Sequence, residues 1–484
     1  MLHLQAEHIT IELKEVRAVS LKEKNKNLLE GSLWRNILMF TLPIVLSGML
    51  QLVFNAADLI VVGKFDRVNG SLAQAAIGST GSMINLIVCV FLGISIGVNV
   101  VIARLIGAKQ VEHLKTAVQT AMFIGVIAGV MIAVFGYIFT KPLLHLIQTE
   151  ESVMPFAVDY LRIYFIGAPF SMIYNFGSAI MRAWGDTKRP TIYLTIGGIV
   201  NVLLNLFAVI VLGLGVKGVA IATTTSNLIA CVLIIIRLIK TDEPIKLQIK
   251  GMKINSQWLT QILALGLPAG VQGICFSLSN VIIQSAVNSF GDPHITAGNG
   301  NAANVENFIY IAINSFSQAA VTFTSQSVGA KNYKHVKKIL YTTLMLVGIV
   351  GITLSSVVCV FREPLMELYS SNAEDIKAGM SRLIVICMAY FVCGFMDVTT
   401  GAIRGMGNST VPMIIALIGA CGMRIAWVYT IFRSWHTTTS LYISYPISWL
   451  VTFLALFTFA TYYRKRLERK EIERQKTCLN KESE

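Results

Sequence analysis

Between Trp34 and Tyr463 the chain keeps returning to apolar runs of about 20 residues, each long enough to cross a hydrocarbon core of about 30 Å. Backbone in oil has no water to bond with, so only helices and closed barrels can span it. Barrels need alternating strands of about ten residues, and no such alternation is seen here. Only 14% of the 484 residues are charged, against roughly 25% in a soluble chain, and the mean hydropathy is +0.65. The fold class is therefore an all-α polytopic membrane protein. Twelve transmembrane helices are predicted, near 34–62, 71–102, 115–140, 155–181, 191–213, 216–239, 258–288, 300–328, 338–361, 377–403, 411–432 and 438–463. Several exceed 25 residues and must tilt or protrude.

The net charge of +14 sits in the connections, which points to loop charge and away from nucleic-acid binding. The loops following the even-numbered helices carry 16 Lys and Arg residues, the opposite loops 6. Cytoplasmic loops are the basic ones, so both termini are expected in the cytoplasm of a cell bounded by this plasma membrane. Of eight cysteines, seven lie in apolar runs and none forms a C-x-x-C pair, which argues against disulfides and a thiolate metal site. Residues 1–32 lack the apolar core of a signal peptide and read as a cytosolic extension. Residues 464–484 read as a cytosolic basic tail.

The chain also repeats itself at an offset of 222–225. "IGAKQVEHLK" (106–115) returns as "VGAKNYKHVK" (328–337), "SAIMRAWGDTKRPTI" (178–192) as "TGAIRGMGNSTVPMI" (400–414), and "LPIVLSG" (42–48) as "LPAGVQG" (267–273). Arg182, Gly185 and Pro190 match Arg404, Gly407 and Pro412. Six crossings return a chain to its starting side, so the halves insert the same way up, related by an axis along the membrane normal. Two pseudo-symmetric six-helix lobes follow, at 33–240 and 258–463, joined by a cytoplasmic linker at 241–257 and facing each other across a cleft. Pro43 and Pro268 occupy equivalent first helices and are expected to bend them; ordinary packing is the alternative.

A charge at the bilayer centre is costly, so the few inside spans are candidate site residues: Asp58, Glu306, Asp397 and Arg424, with Arg162 and Arg382 shallower. Counting from the loops puts Asp58, Asn205 and Thr223 at one depth, and Asn201 shares a helix face with Asn205 at i, i+4. A carboxylate, two amides and a hydroxyl together would suit a proton or a small hard cation such as Na⁺. Burial disfavours the charged form of a carboxyl, which would let Asp58 exchange a proton; a structural hydrogen bond is the alternative. Asp397 reads as a cation or proton ligand, with a neutralising pair to Arg424 as the alternative. Glu306 reads as a second cation site or a rim residue.

At these residues the sequence resembles the multidrug and toxic compound extrusion family, from Asn27 to Tyr463. The carriers are "FNAADLIVVG", "IARLIGAKQ", "MRAWGDTKRP", "NVLLNLFAVIVLGLGVKGVAIATTTS", "SQSVGAKN" and "GAIRGMGNS". The resemblance implies a two-lobed antiporter that exports cationic and amphipathic compounds against an inward flow of H⁺ or Na⁺. It implies that Asp58, with Asn201 and Thr223, forms the N-lobe cation or proton site, and that Asp397 belongs to a C-lobe site. Asn205 stands where many members carry an acid, and helix 7 lacks a glutamate expected in Na⁺-coupled members; both departures favour H⁺.

The expected partners are small-molecule drugs, organic cations and the lipid bilayer, in a monomer with no cofactor beyond the coupling ion and no nucleic acid. Mostly acidic mid-membrane charge favours a cationic cargo. A flippase for lipid-linked oligosaccharides, which shares this architecture, is the alternative and would want basic residues in the cleft. An enzyme is not expected: H-E-x-x-H, G-x-S-x-G and the phosphate-binding G-x-x-x-x-G-K-[ST] are all missing from the sequence.

Overall fold

A computed structural model describes residues 28–66, 70–250 and 254–482. The expected N-terminal extension therefore lies mostly outside the described residues. Twelve spans succeed one another: α1 (Leu33–Phe65), α2 (Gly70–Gly107), α3 (Val111–Leu146), α4 (Met154–Ile166 and Ala168–Trp184), α5 (Lys188–Val211), α6 (Gly215–Lys240), α7 (Ser256–Asn288), α8 (Pro293–Gly329), α9 (Tyr333–Val360), α10 (Ala373–Cys387 and Tyr390–Gly405), α11 (Thr410–Phe432) and α12 (Thr438–Glu482). Aliphatic side chains such as Leu203, Val281 and Ile418 stay exposed and give the outer surface the apolar character that lipid requires. Odd-numbered spans start at the end of the molecule where the described chain begins and ends, called here the terminal end, and even-numbered spans return to it.

Eleven of the twelve, counting each bent pair as one, are long and apolar enough to cross a membrane. The exception is α8, which the sequence reading had counted among the apolar runs. It carries five Asn, two Gln and Glu306, and most of its second half is buried against the rest of the protein. Protein, and not lipid, is the solvent of α8, which is why its composition can be polar. At the other extreme, α12 runs 45 residues, about 68 Å at 1.5 Å per residue, so the expected basic tail continues as helix. That extension is tied back by Lys331 Nζ to Glu471 Oε1 at 2.8 Å.

The repeat is written into the backbone. Spans α4 and α10 are bent by 47° and 49°, at Gly167 and at 388–389, which are equivalent positions. Continuous helix runs through Pro43 and Pro268. Both α5 and α11 end in a π-helical turn, Phe207–Val211 and Val428–Phe432. Lys109 and Lys331, each following the last turn of its helix, share a left-handed φ of 56°, and Gly185 and Gly407 have φ of 99° and 89°.

Contacts between the halves are reciprocal. A Cβ on Gly48 of α1 would meet Ile311 of α8; one on Gly273, the repeat equivalent of Gly48, would meet Cys89, the equivalent of Ile311. Gly107 approaches the backbone of Gln326 and Gly329 that of Arg104, again equivalent pairs. Residue i touching j′ while i′ touches j is the signature of a twofold relation. The first helix of each half reaches into the other half: Ile37 and Phe40 join the core of α8–α12, with Phe40 edge-on to Phe323 at 5.4 Å, while Trp258, Ile262 and Leu265 of α7 join the core of α2, α3 and α4.

The seams differ in tightness. Spans α2 and α7 meet through Gly93, Gly97, Gly266 and Gly270; a Cβ on Gly270 would lie 2.6 Å from Val90 O. Such small-residue faces let membrane helices approach backbone to backbone. All these approaches lie in the halves of α2 and α7 nearer the terminal end, whereas Gly78 and Gly81, farther out on α2, face open space. At the terminal end Thr322 donates to Asn99 Oδ1 at 3.0 Å and Gln326 Nε2 to Ala183 O at 2.8 Å, both across the halves. The molecule is thus sealed at its terminal end.

Candidate functional site

Gly198 seats α1 on α5, because any side chain there would run into the Phe54 ring. One turn on from Phe54, Asp58 then faces Asn201 and Asn205 of α5, with Thr223 arriving from α6. Asn205 Nδ2 donates to Asp58 Oδ1, and Thr223 Oγ1 donates to Asp58 Oδ2 at 3.4 Å. With its amide turned so that the nitrogen faces the acid, Asn201 donates to Asp58 Oδ1 at 2.9 Å and accepts from Thr223 N at 3.3 Å. Asp58 and Asn201 are buried and Asn205 is fully so. Among the described residues no Lys or Arg pairs with Asp58, and Asn205 Oδ1 has no partner. The structure thus brings together Asp58, Asn205 and Thr223, the three residues the sequence placed at one depth, with Asn201 from the shared helix face. The π-helical turn of α5 begins two residues after Asn205; such turns often sit at functional sites.

The second half is arranged differently. Glu306 of α8 is held by Arg382 of α10 through two parallel bonds of 2.8 Å, Nε to Oε1 and Nη2 to Oε2. Arg382 also donates to Asn299 Oδ1 at 2.6 Å and lies over Tyr442 and Tyr445. Both partners are buried, so Glu306 is a neutralised member of a structural network and not a vacant cation ligand. This corrects the expectation for Glu306, and Arg382 is the residue the sequence reading undervalued.

Arg424 does not pair with Asp397. Its Nε donates to Ser448 Oγ at 2.9 Å and its guanidinium stacks on the Tyr445 ring at 4.1 Å. π-helical turns flank the short α-helical piece Met423–Trp427 that carries Arg424. Asp397 instead has Asn314 and Arg404 beside it, with no ion pair within 4 Å among the described residues, and its Oδ2 is buried without a partner.

A cavity of about 390 Å³ lies between the halves, lined from α1, α2, α4, α5, α6, α8 and α10. Neither Asp58 nor Glu306 lines it. Its wall carries the carboxamides of Gln51, Asn99, Asn175, Asn227, Asn314 and Gln318, together with Tyr174, Tyr310 and several serines. The charged groups in the wall are Arg182 and Arg404, the two arginines that the repeat makes equivalent. Arg404 Nη2 donates to Gln272 Oε1 at 2.8 Å while its Nε has no partner. Sequence reasoning singled out these arginines as a matched pair but counted both with the basic residues of the cytoplasmic loops; the structure places them in the cavity wall instead.

Comparison with known proteins agrees with this architecture. The profile of the family described as MatE matches residues 43–207 and 268–430, one match in each half. A probable multidrug resistance protein, YoeA of Bacillus subtilis (strain 168), is 28% identical over 92% of this chain and 96% of its own length. An FAD transporter of Shewanella oneidensis is 25% identical over 81% of this chain and 86% of its own. Among solved structures, an outward-facing multidrug resistance MATE transporter of the MOP superfamily superposes with a TM-score of 0.84 at 21% identity, covering 92% of this chain and 99% of that one. A MOP-superfamily transporter from Pyrococcus furiosus, described as having a binding pocket of reversed polarity, gives 0.85 at 22% identity with the same coverage.

Proposed function

Because the chain belongs to the MatE family, whose members are multi-pass membrane transporters of small molecules and not enzymes, we propose that it is a secondary active exporter driven by inward H⁺ flow. The observation that carries the reading is Asp58: a buried carboxyl held by three neutral donors with no basic partner. An uncompensated charge there is costly, and a proton removes the cost. The neutral amide at Asn205 and the lack of a glutamate in α7 support H⁺ over Na⁺. The two halves rock about the pseudo-twofold, exposing the central cavity to one side and then the other, and protonation of Asp58 binds the two states unequally. One H⁺ crossing 100 mV supplies about 2.3 kcal/mol, with about 1.4 kcal/mol more per pH unit. The protein works in the plasma membrane as a monomer, with the sealed terminal end in the cytoplasm.

The cargo is an amphipathic small molecule. The organic cation expected from the sequence rested on acidic charge in the cleft, and that support falls away with Asp58 and Glu306 outside the cavity wall. Relatives are named both for multidrug resistance and for FAD transport, and FAD is an anion. Arg182 and Arg404 in the wall favour, as a second reading, a flippase for lipid-linked oligosaccharides with an anionic head.

The test is dye export from everted vesicles under H⁺ or Na⁺ gradients imposed separately, with ethidium and carboxyfluorescein as probes. Export of either dye is expected only with the H⁺ gradient, and Asp58→Asn is expected to abolish it while the protein still reaches the membrane. Wild-type export by that variant, or export with every gradient collapsed, would end the proposal.

A further inference from the structure

We infer that the central cavity receives a polar cargo carrying a negatively charged phosphate or carboxylate group, and disfavours organic cations. The inference rests on the transport reading above and specifies the cargo for it. Among the described residues two guanidinium groups line the wall and no Asp or Glu does. Arg182 makes no hydrogen bond or ion pair to any described residue. The reason lies in the repeat: the position equivalent to Gln272, which bonds Arg404, is Ser47, and no bond joins Ser47 to Arg182. Arg404 is about nine-tenths buried and keeps an unfilled Nε. Buried donors of a charged group are expensive to leave unfilled. A phosphate or carboxylate fills them in the fork geometry that guanidinium prefers, whereas a cation meets two like charges in a low-dielectric wall.

The rest of the wall agrees. Six carboxamides and two tyrosines offer donors and acceptors to a polar body, while Met, Phe and Trp, which would grip a flat apolar cation, do not line the cavity. A volume of about 390 Å³ falls within the range of small-molecule sites, roughly 300–1,000 Å³. Asp397, the one carboxylate beside Arg404, leaves the pair of arginines in excess.

The experiment uses the full chain in proteoliposomes under an imposed pH gradient with three probes: carboxyfluorescein, ethidium, and a fluorescent phosphatidylglycerol whose leaflet is read by dithionite quenching. The wild type is expected to move an anionic probe faster than ethidium. Arg182→Gln with Arg404→Gln is expected to lose that flux about tenfold or more, the size of a lost charged hydrogen bond, with ethidium flux unchanged or raised. Arg182→Lys should retain part of the anion flux. Carboxyfluorescein moving identifies a soluble anion as the cargo, and the labelled lipid moving instead identifies a lipid headgroup; both support the inference.

Ethidium moved in preference to both anions, or a double variant that slows all probes alike, would overturn it while leaving the exporter reading intact. No flux of any probe would overturn the exporter reading itself. Independently of transport, carboxyfluorescein should raise the unfolding temperature of the wild type and not of the double variant. Equal shifts in both would also sink the inference.

Discussion

Depth was readable at the level of single residues and direction was not. Counting residues from a loop gives height in the bilayer at 1.5 Å per residue, which is why Asp58, Asn205 and Thr223 could be put together. The rotation of one helix against another is set by packing, so the partners of Glu306 and Arg424 could not be read from spacing. The Glu306–Arg382 pair makes a specific prediction. Breaking a buried pair on one side leaves an uncompensated charge and costs about 3–5 kcal/mol. Arg382→Met should therefore sharply lower the unfolding temperature, and Glu306→Gln added to it should recover much of the loss; thermal unfolding of the purified variants checks both.

A second residue-scale prediction concerns pH. At the end opposite the terminal end, His294 Nδ1 lies 2.7 Å from Asp375 Oδ1 and Nε2 lies 3.2 Å from Glu374 Oε2, joining the first turns of α8 and α10, which precede the membrane-crossing stretches expected at 300–328 and 377–403. The Asp375 hydrogen bond, with Glu374, Asp375 and Asp292 adding negative charge nearby, holds the His294 pKa above its ordinary 6.5. The bonds to His294 and Ser370 hold the Asp375 carboxyl below its ordinary 3.8. A raised His pKa stabilises below the unfolded value and loses that contribution as pH climbs through the folded one. The difference in unfolding temperature between wild type and His294→Gln should therefore shrink as pH rises past 6.5. A difference that grows would contradict this.

Whole helices were more legible. Apolar length sufficed for eleven of the twelve, all but α8, because oil leaves the backbone no alternative. What escaped were the departures from regularity. Proline drew attention to α1 and α7, while the bends in α4 and α10, at Gly167 and at 388–389, went unmarked, although Pro169 opens the second piece of α4. The glycine seam of α2 and α7 was likewise invisible, since glycine is common in membrane helices and only the facing helix reveals its use. Gly270→Val puts branched carbon where Val90 O already sits 2.6 Å from a Cβ. Overpacking of this kind costs about 1–3 kcal/mol, and here it would be relieved by parting the two helices. Spin labels on α2 and α7 near the terminal end should report a longer distance in Gly270→Val, with export reduced. An unchanged distance would show that the seam is not what holds this end closed.

For the molecule as a whole, the internal repeat predicted the symmetry, and the reciprocal contacts of Gly48 with Ile311 and of Gly273 with Cys89 express it. The reach of each first helix into the opposite half was beyond the sequence, because the partner of a helix face is set by packing.

The polarity of α8 reaches beyond the finished structure. A segment with so many amides gains little by leaving water alone, so it cannot be threaded into the bilayer on its own merits as the ribosome delivers it. It must wait, and enter together with later helices that bury it. Synthesis of the second half is therefore a concerted step, and a chain cut short just after Gly329 would leave its last helix stranded outside the membrane.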